Sequence, residues 1–122
     1  MNYTFLGKYD SIVYIESEDI LIIDSQSALD LMMTVQYEKG CSRIVLDKRT
    51  ISEEFFRLSS DIAGDVLQKF INYHTKLAII GDFSKYTSKP LHDFIYECNK
   101  GNDIIFVDNL DQAIKKLDLA RH

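Results

Sequence analysis

The hydrophobic positions of the chain fall into two repeating patterns. Residues 3–6 and 12–16 are rich in aromatic and β-branched side chains, and Gly7-Lys8-Tyr9-Asp10 between them supplies turn chemistry, which predicts an N-terminal hairpin. The apolar stretch from Ile20 to Ile23 reads either as a further strand or as an extended lead into a helix. From Ser25 to Lys39 the spacing becomes helical: Ser27 and Asp30 resemble a capping box, Leu29, Met32 and Met33 recur at helical intervals, and Gly40 suits the position after a helix end. Arg43-Ile44-Val45-Leu46-Asp47 is an apolar run between charges, the pattern of a strand buried on both faces of a parallel sheet. Ser52-Glu53-Glu54 then opens a long helical region reaching about His74, striped by Ile62, Val66 and Phe70 and interrupted by the N-cap formers Ser59-Ser60-Asp61. Residues 76–81 predict a second buried strand, Pro90 to Gly101 a helix, 104–107 a last strand, and 109–119 a last helix with Leu110, Ala113, Ile114 and Leu117 on one face.

Alternating buried strands and helices after a hairpin predict one α/β domain over residues 1–122, a central mixed sheet flanked by helices. Composition narrows the class. With 14 Lys and Arg against 19 Asp and Glu the net charge is −5, which argues against general binding to nucleic acid or to anionic membranes. The start of the sequence has neither the basic nor the long apolar region of a signal peptide, so a cytoplasmic protein is expected. Cys41 and Cys98 form no CxxC motif, which predicts free thiols rather than a zinc or redox pair, and Cys98 shares an apolar stripe with Leu91, Phe94 and Ile95.

Candidate chemistry is sparse. Asp47, Asp82 and Asp108 follow the three central strands, and at the carboxyl edge of a parallel sheet they make a divalent-metal or phosphoryl site the alternative reading to be tested. A receiver-like phosphoacceptor would also need a lysine after the last strand, where Asp108-Asn109-Leu110 stands instead, and Asp108 reads most simply as a helix N-cap. The loop Phe83, Ser84, Lys85, Tyr86, Thr87, Ser88, Lys89 gathers two lysines, a tyrosine and three hydroxyls before a helix start, a composition suited to docking a protein around Tyr86 and Phe83 or to holding an anion. Neither GxxxxGK[ST] nor GxGxxG occurs, so the usual nucleotide frameworks are missing and no cofactor is expected. His74, His92 and the last residue, His122, fall into no catalytic pattern. Gly64, inside a helical stretch, points to close approach of another backbone, either the sheet beneath or a partner above. Tyr37, Tyr73 and Tyr96 leave aromatic area for a surface contact.

The strand Arg43-Ile44-Val45-Leu46-Asp47 followed by Ser59-Ser60-Asp61-Ile62-Ala63-Gly64 resembles the STAS fold of anti-sigma-factor antagonists. Ala63-Gly64-Asp65-Val66-Leu67-Gln68-Lys69-Phe70 and Gly81-Asp82-Phe83-Ser84-Lys85-Tyr86-Thr87-Ser88 are similar, over nearly the whole chain, to a small bacterial family known only as a domain of unknown function. The STAS resemblance implies a regulatory module in which a serine at the helix start is phosphorylated and the phosphate breaks docking to a partner protein. Its matching position is Ser60, with Ser59 beside it. Leu58 stands where those antagonists carry an acidic residue, and Asp61 where they carry glycine. The reading is therefore a protein-binding module, with a homodimer among its expected assemblies, and a small metal-dependent hydrolase or phosphoryl-transfer enzyme as the alternative.

Overall fold

The computed structural model describes residues 1–120. Strands β1 (Asn2–Leu6) and β2 (Ile12–Glu16) form the antiparallel hairpin, with Leu6 opposite Ile12 and Asn2 opposite Glu16. The turn depends on Gly7, whose φ of 75° is left-handed; a Cβ there would lie 2.6 Å from Ile12 Cδ1 and 2.7 Å from Asp118 Oδ1. The same Asp118 oxygen accepts the Lys8 backbone N–H at 3.0 Å, tying the turn to the last helix.

Three parallel strands follow, β3 (Arg43–Asp47), β4 (Lys76–Ile80) and β5 (Ile104–Val107), and the sheet order is β1-β2-β3-β4-β5. Because the order never reverses, crossovers of one hand put the connecting helices α1 (Ser25–Thr34), α2 (Ile62–Asn72) and α3 (Lys89–Lys100) on one face. Their side chains Met32, Phe70 and Leu91 share the larger core with Ile44, Leu46, Leu77 and Ile79 of the sheet. The last helix, α4 (Leu110–Leu119), crosses back and packs Ala113 and Leu117 on Ile12, Val45, Ala78 and Ile105 of the other face. Ile44, Val45 and Leu46 are wholly buried, as a doubly covered strand requires.

Several local expectations change. The cap of α1 is Asp24, whose side chain accepts the Ser27 N–H at 2.8 Å while Ser27 Oγ accepts the Asp24 N–H, so the box starts earlier than Ser27 and Asp30 suggest. The helix then widens into a π turn over Val35–Lys39 and ends at Gly40, whose φ of 66° is the left-handed conformation that glycine adopts freely. Residues Ile20 to Ile23 resolve as an extended lead: Ile22 makes one isolated bridge to Ile51.

The long helix expected from Ser52 does not form. Short 3₁₀ turns occupy Glu53–Phe56 and Leu58–Ser60, and the α-helix begins only at Ile62. Arg57 in extended backbone (φ −100°, ψ 100°) and Asp61 in the left-handed conformation (φ 65°) break the helical path on either side of Leu58–Ser60, and the adjacent Phe55 and Phe56 before them are both buried. Gly64 is also reassigned, because a Cβ added there would meet nothing within 4 Å and no sheet backbone lies against it.

Candidate functional site

The segment from Lys48 to Asp61 and the loop after β4 meet at one end of the larger core. Tyr86 lies half-buried with its ring stacked on Phe56, centroids 5.3 Å apart and planes 20° from parallel. Phe83 approaches Phe56 at 6.1 Å and meets Phe106 edge-on at 5.2 Å. Lys48 Nζ stands 5.0 Å from the Tyr86 ring centre and 5.3 Å from that of Phe56, and it pairs with Glu53 Oε1 at 3.0 Å. The Tyr86 hydroxyl donates to Glu53 Oε2 at 3.0 Å, closing a ring of Lys48, Glu53, Phe56 and Tyr86.

These contacts hold one another's charge states. Lys48 hydrogen-bonding to Glu53 keeps that carboxyl below its ordinary value, with the Tyr86 hydroxyl adding to the effect. Burial pulls the Lys48 ammonium down, and its contacts with Tyr86 and Glu53 more than restore it, leaving it above an ordinary lysine. Burial raises the Tyr86 phenol. A neutral tyrosine beside an ion pair orders this corner and offers no activated nucleophile.

In front of this ring opens a cleft of about 340 Å³ lined by Glu53, Phe56, Arg57, Leu58, Ser59, Tyr86, Ser88 and Pro90. Its floor is aromatic and aliphatic, and its rim carries Glu53, Arg57 and two serine hydroxyls. Ser60 lies just behind the rim. Its hydroxyl donates to the Glu54 carbonyl at 2.7 Å and accepts the Ile62 N–H at 3.3 Å, so it braces the last 3₁₀ turn against the start of α2. Asp61, in the left-handed conformation at φ 65°, precedes α2 without capping it through its side chain. Arg57 pairs with Glu54 on the exposed side.

The loop residues divide by role. Phe83 and Tyr86 are partly buried and packed against the core. Ser84 donates through Oγ to Asp82 Oδ1 at 2.6 Å, and this bond, with the Ser84 N–H, holds the Asp82 carboxyl below its ordinary value. Ser88 caps α3, accepting the Leu91 N–H. Lys89 pairs with Asp93 at 2.8 Å. Thr87 and Lys85 are exposed, and among the described residues Lys85 makes no ion pair. The carbonyl of Tyr86 is held by His92 Nε2, which fixes the bend.

The three strand-end aspartates are engaged separately. Asp47 Oδ2 accepts the Tyr14 hydroxyl at 2.8 Å, Asp82 serves the turn at Ser84, and the Asp108 N–H donates to Gln112 Oε1 at 3.0 Å. The cap of α4 is Asn109, which accepts the Gln112 N–H at 2.9 Å, in place of the expected Asp108. Among the described residues no three His, Cys, Asp or Glu side chains are grouped so as to hold a metal ion. The strand order offers no reversal among the parallel strands, and it is such a reversal that opens a ligand crevice at the carboxyl edge of doubly wound sheets.

His74 follows the end of α2 with a φ of 52°, and His122 lies outside the described residues. Lys48, Phe56 and Arg57 enter the site without having been singled out from the sequence. The signal they carried was the adjacent pair Phe55-Phe56 after a Lys48-Arg49 strand end, and its meaning depends on contacts with residues 30 or more positions away.

The class defined by this geometry is a mixed five-stranded α/β domain with three helices on one face, one on the other, and a surface cleft between the α2 lead-in and the β4–α3 loop. The model of the family described as domain of unknown function DUF4180 matches residues 8–117, and the chain belongs to that family. Comparison with curated proteins and with solved structures gives no match. No helix among the described residues is long and apolar enough to cross a membrane.

Proposed function

We propose that the protein is a STAS-like regulatory module of the cytoplasm that docks a partner protein at the cleft beside Ser59 and releases it when Ser60 is phosphorylated. The observation that carries this reading is convergence: the serine turn before α2 and the loop before α3, separate in sequence, line one cleft with an apolar floor and a polar rim. That composition suits a protein segment inserting one apolar side chain, with polar groups around it.

Ser60 is placed to control the cleft wall. Its hydroxyl is a donor to the Glu54 carbonyl, and phosphorylation replaces that donor with a group of about −1.5 to −2 charges and only acceptor oxygens. The phosphate repels the Glu54 carbonyl and carboxylate while attracting Arg57 and the free N–H groups at the start of α2. Arg57 then leaves Glu54, and Arg57, Leu58 and Ser59 move together as one wall of the cleft.

The test compares proteins recovered from the native cells by wild type, Ser60→Ala, Ser60→Asp and the cleft variant Leu58→Asp, with thermal unfolding confirming that each is folded. The expected result is a partner held by wild type and Ser60→Ala and lost by Ser60→Asp and Leu58→Asp. Equal recovery by all four overturns both the docking site and the switch.

A further inference from the structure

The two edges of the sheet are finished differently. At the β5 edge, Asn99 of α3 donates from Nδ2 to the Phe106 carbonyl at 3.3 Å and accepts the Phe106 N–H on Oδ1 at 2.7 Å. One side-chain amide thus occupies both backbone groups of Phe106, as a neighbouring strand would. Two residues on, the outward N–H of Asp108 is taken by Gln112. An unpaired edge is a template for another strand, and these two amides remove that template from β5.

The β1 edge has no such closure. Among the described residues no side chain bonds to a backbone group of Asn2–Leu6. The strand Asn2-Tyr3-Thr4-Phe5-Leu6 has no charge and no proline, the two commonest guards of an exposed edge. Asn2, Thr4 and Phe5 are exposed, and two more aromatic rings stand at the same end of the sheet: Tyr9, wholly exposed in the turn after β1, and Tyr37, 90% exposed in the π turn that ends α1. The two turns are adjacent, since Lys39 lies 4.4 Å over the Tyr3 ring and Cys41 Sγ reaches the Asp10 carbonyl at 3.6 Å.

We infer that β1 is a homodimer interface, pairing antiparallel with β1 of a second copy to make one continuous ten-stranded sheet. A second copy is the occupant this edge selects. Two identical edges related by a two-fold axis necessarily run antiparallel, the interface is self-complementary, and an uncharged strand brings no like charges together. Centring the axis on Thr4, the middle of the strand, keeps all five residues paired and sets Tyr3 across from Phe5 and Thr4 across from Thr4. The β5 edge cannot pair in this way without displacing Asn99. This inference is independent of the cleft, whose lining includes no residue of β1.

The experiment measures mass in solution by light scattering and sedimentation for wild type, Thr4→Lys, Thr4→Cys and Asn2→Cys, with circular dichroism and melting to confirm the fold. Thr4→Lys places two lysines face to face on the axis at an exposed position, so it is expected to give a folded monomer where wild type is a dimer. Under mild oxidation Thr4→Cys is expected to form a covalent dimer, because residues directly opposite across an antiparallel pair have Cα atoms about 4.5–5.5 Å apart, within disulfide reach. Asn2→Cys faces Leu6 in this register and is expected not to cross-link. A monomeric wild type at 0.1 mM overturns the inference, as does a dimer that survives Thr4→Lys or that cross-links through Asn2→Cys and not Thr4→Cys.

Discussion

Tyr86 separates what supports the cleft from what decorates it, and its ring and its hydroxyl are expected to weigh very differently. Removing the ring in Tyr86→Ala exposes half of a buried aromatic surface, about 1 kcal/mol, and forfeits the stack on Phe56, worth about 0.5–1.5 kcal/mol. It also forfeits the cation–π contact of Lys48, about 0.5 kcal/mol at a partly exposed site. Together these give a loss of about 2–3 kcal/mol, which for a domain of this size lowers the melting temperature by about 8–12 °C. Tyr86→Phe keeps all three contributions and loses only the hydroxyl bond to the largely exposed Glu53, about 0.5 kcal/mol or less. Urea unfolding followed by circular dichroism at neutral pH measures both. A Tyr86→Ala protein as stable as wild type would refute the reasoning, and so would a Tyr86→Phe protein as damaged as Tyr86→Ala. Lys85→Ala, at an exposed position outside this network, is expected to leave stability unchanged.

Further outcomes follow from the same contacts. Gly64→Ala, with open space around the added methyl group in a helix, is expected to raise stability by about 0.5–1 kcal/mol in chemical denaturation. Gly81→Ala would bring its Cβ within 2.9 Å of Lys48 Cβ and 3.2 Å of Phe83 Cζ, and is expected to cost about 1–3 kcal/mol by forcing the Lys48 corner outward. The Tyr14 phenol is pushed up to about 12 by burial and by its bond to Asp47, against an unfolded value near 10. Because the folded value is the higher, its contribution is complete below about pH 10 and is lost as pH rises from 10 through 12. The stability gap between wild type and Tyr14→Phe should therefore shrink across that window in pH-dependent urea titrations. Burial raises the Cys98 thiol to about 11 and also raises that of Cys41, so both are expected to react slowly with a thiol reagent in the native state and at full speed after unfolding.

Strand placement was legible in the sequence because a parallel strand covered on both faces must be apolar at every position. Arg43–Asp47 and Ile104–Val107 announce themselves by that run alone, whatever lies around them. The end of α1 at Gly40 and the start of α3 at Ser88 and Pro90 were readable for a similar reason, since backbone conformation and a missing N–H are properties of the single residue. The lead into α2 was not. Its apolar spacing is compatible with a helix from Ser52, and what interrupts one is the extended backbone of Arg57 and the left-handed Asp61, in a segment that lays Phe56 against Tyr86 and Phe83.

Sequence alone thus determined the alternation of elements, the α/β class and the net negative charge, because local composition and periodicity encode each of these. Only the tertiary structure decided that the lead into α2 and the loop before α3 share a cleft, that Asp47, Asp82 and Asp108 serve separate hydrogen bonds, that Gly64 faces open space, and that among the described residues side chains seal one sheet edge and not the other. Each of those outcomes depends on which distant side chain arrives at a given atom, and distance along the chain carries no record of that.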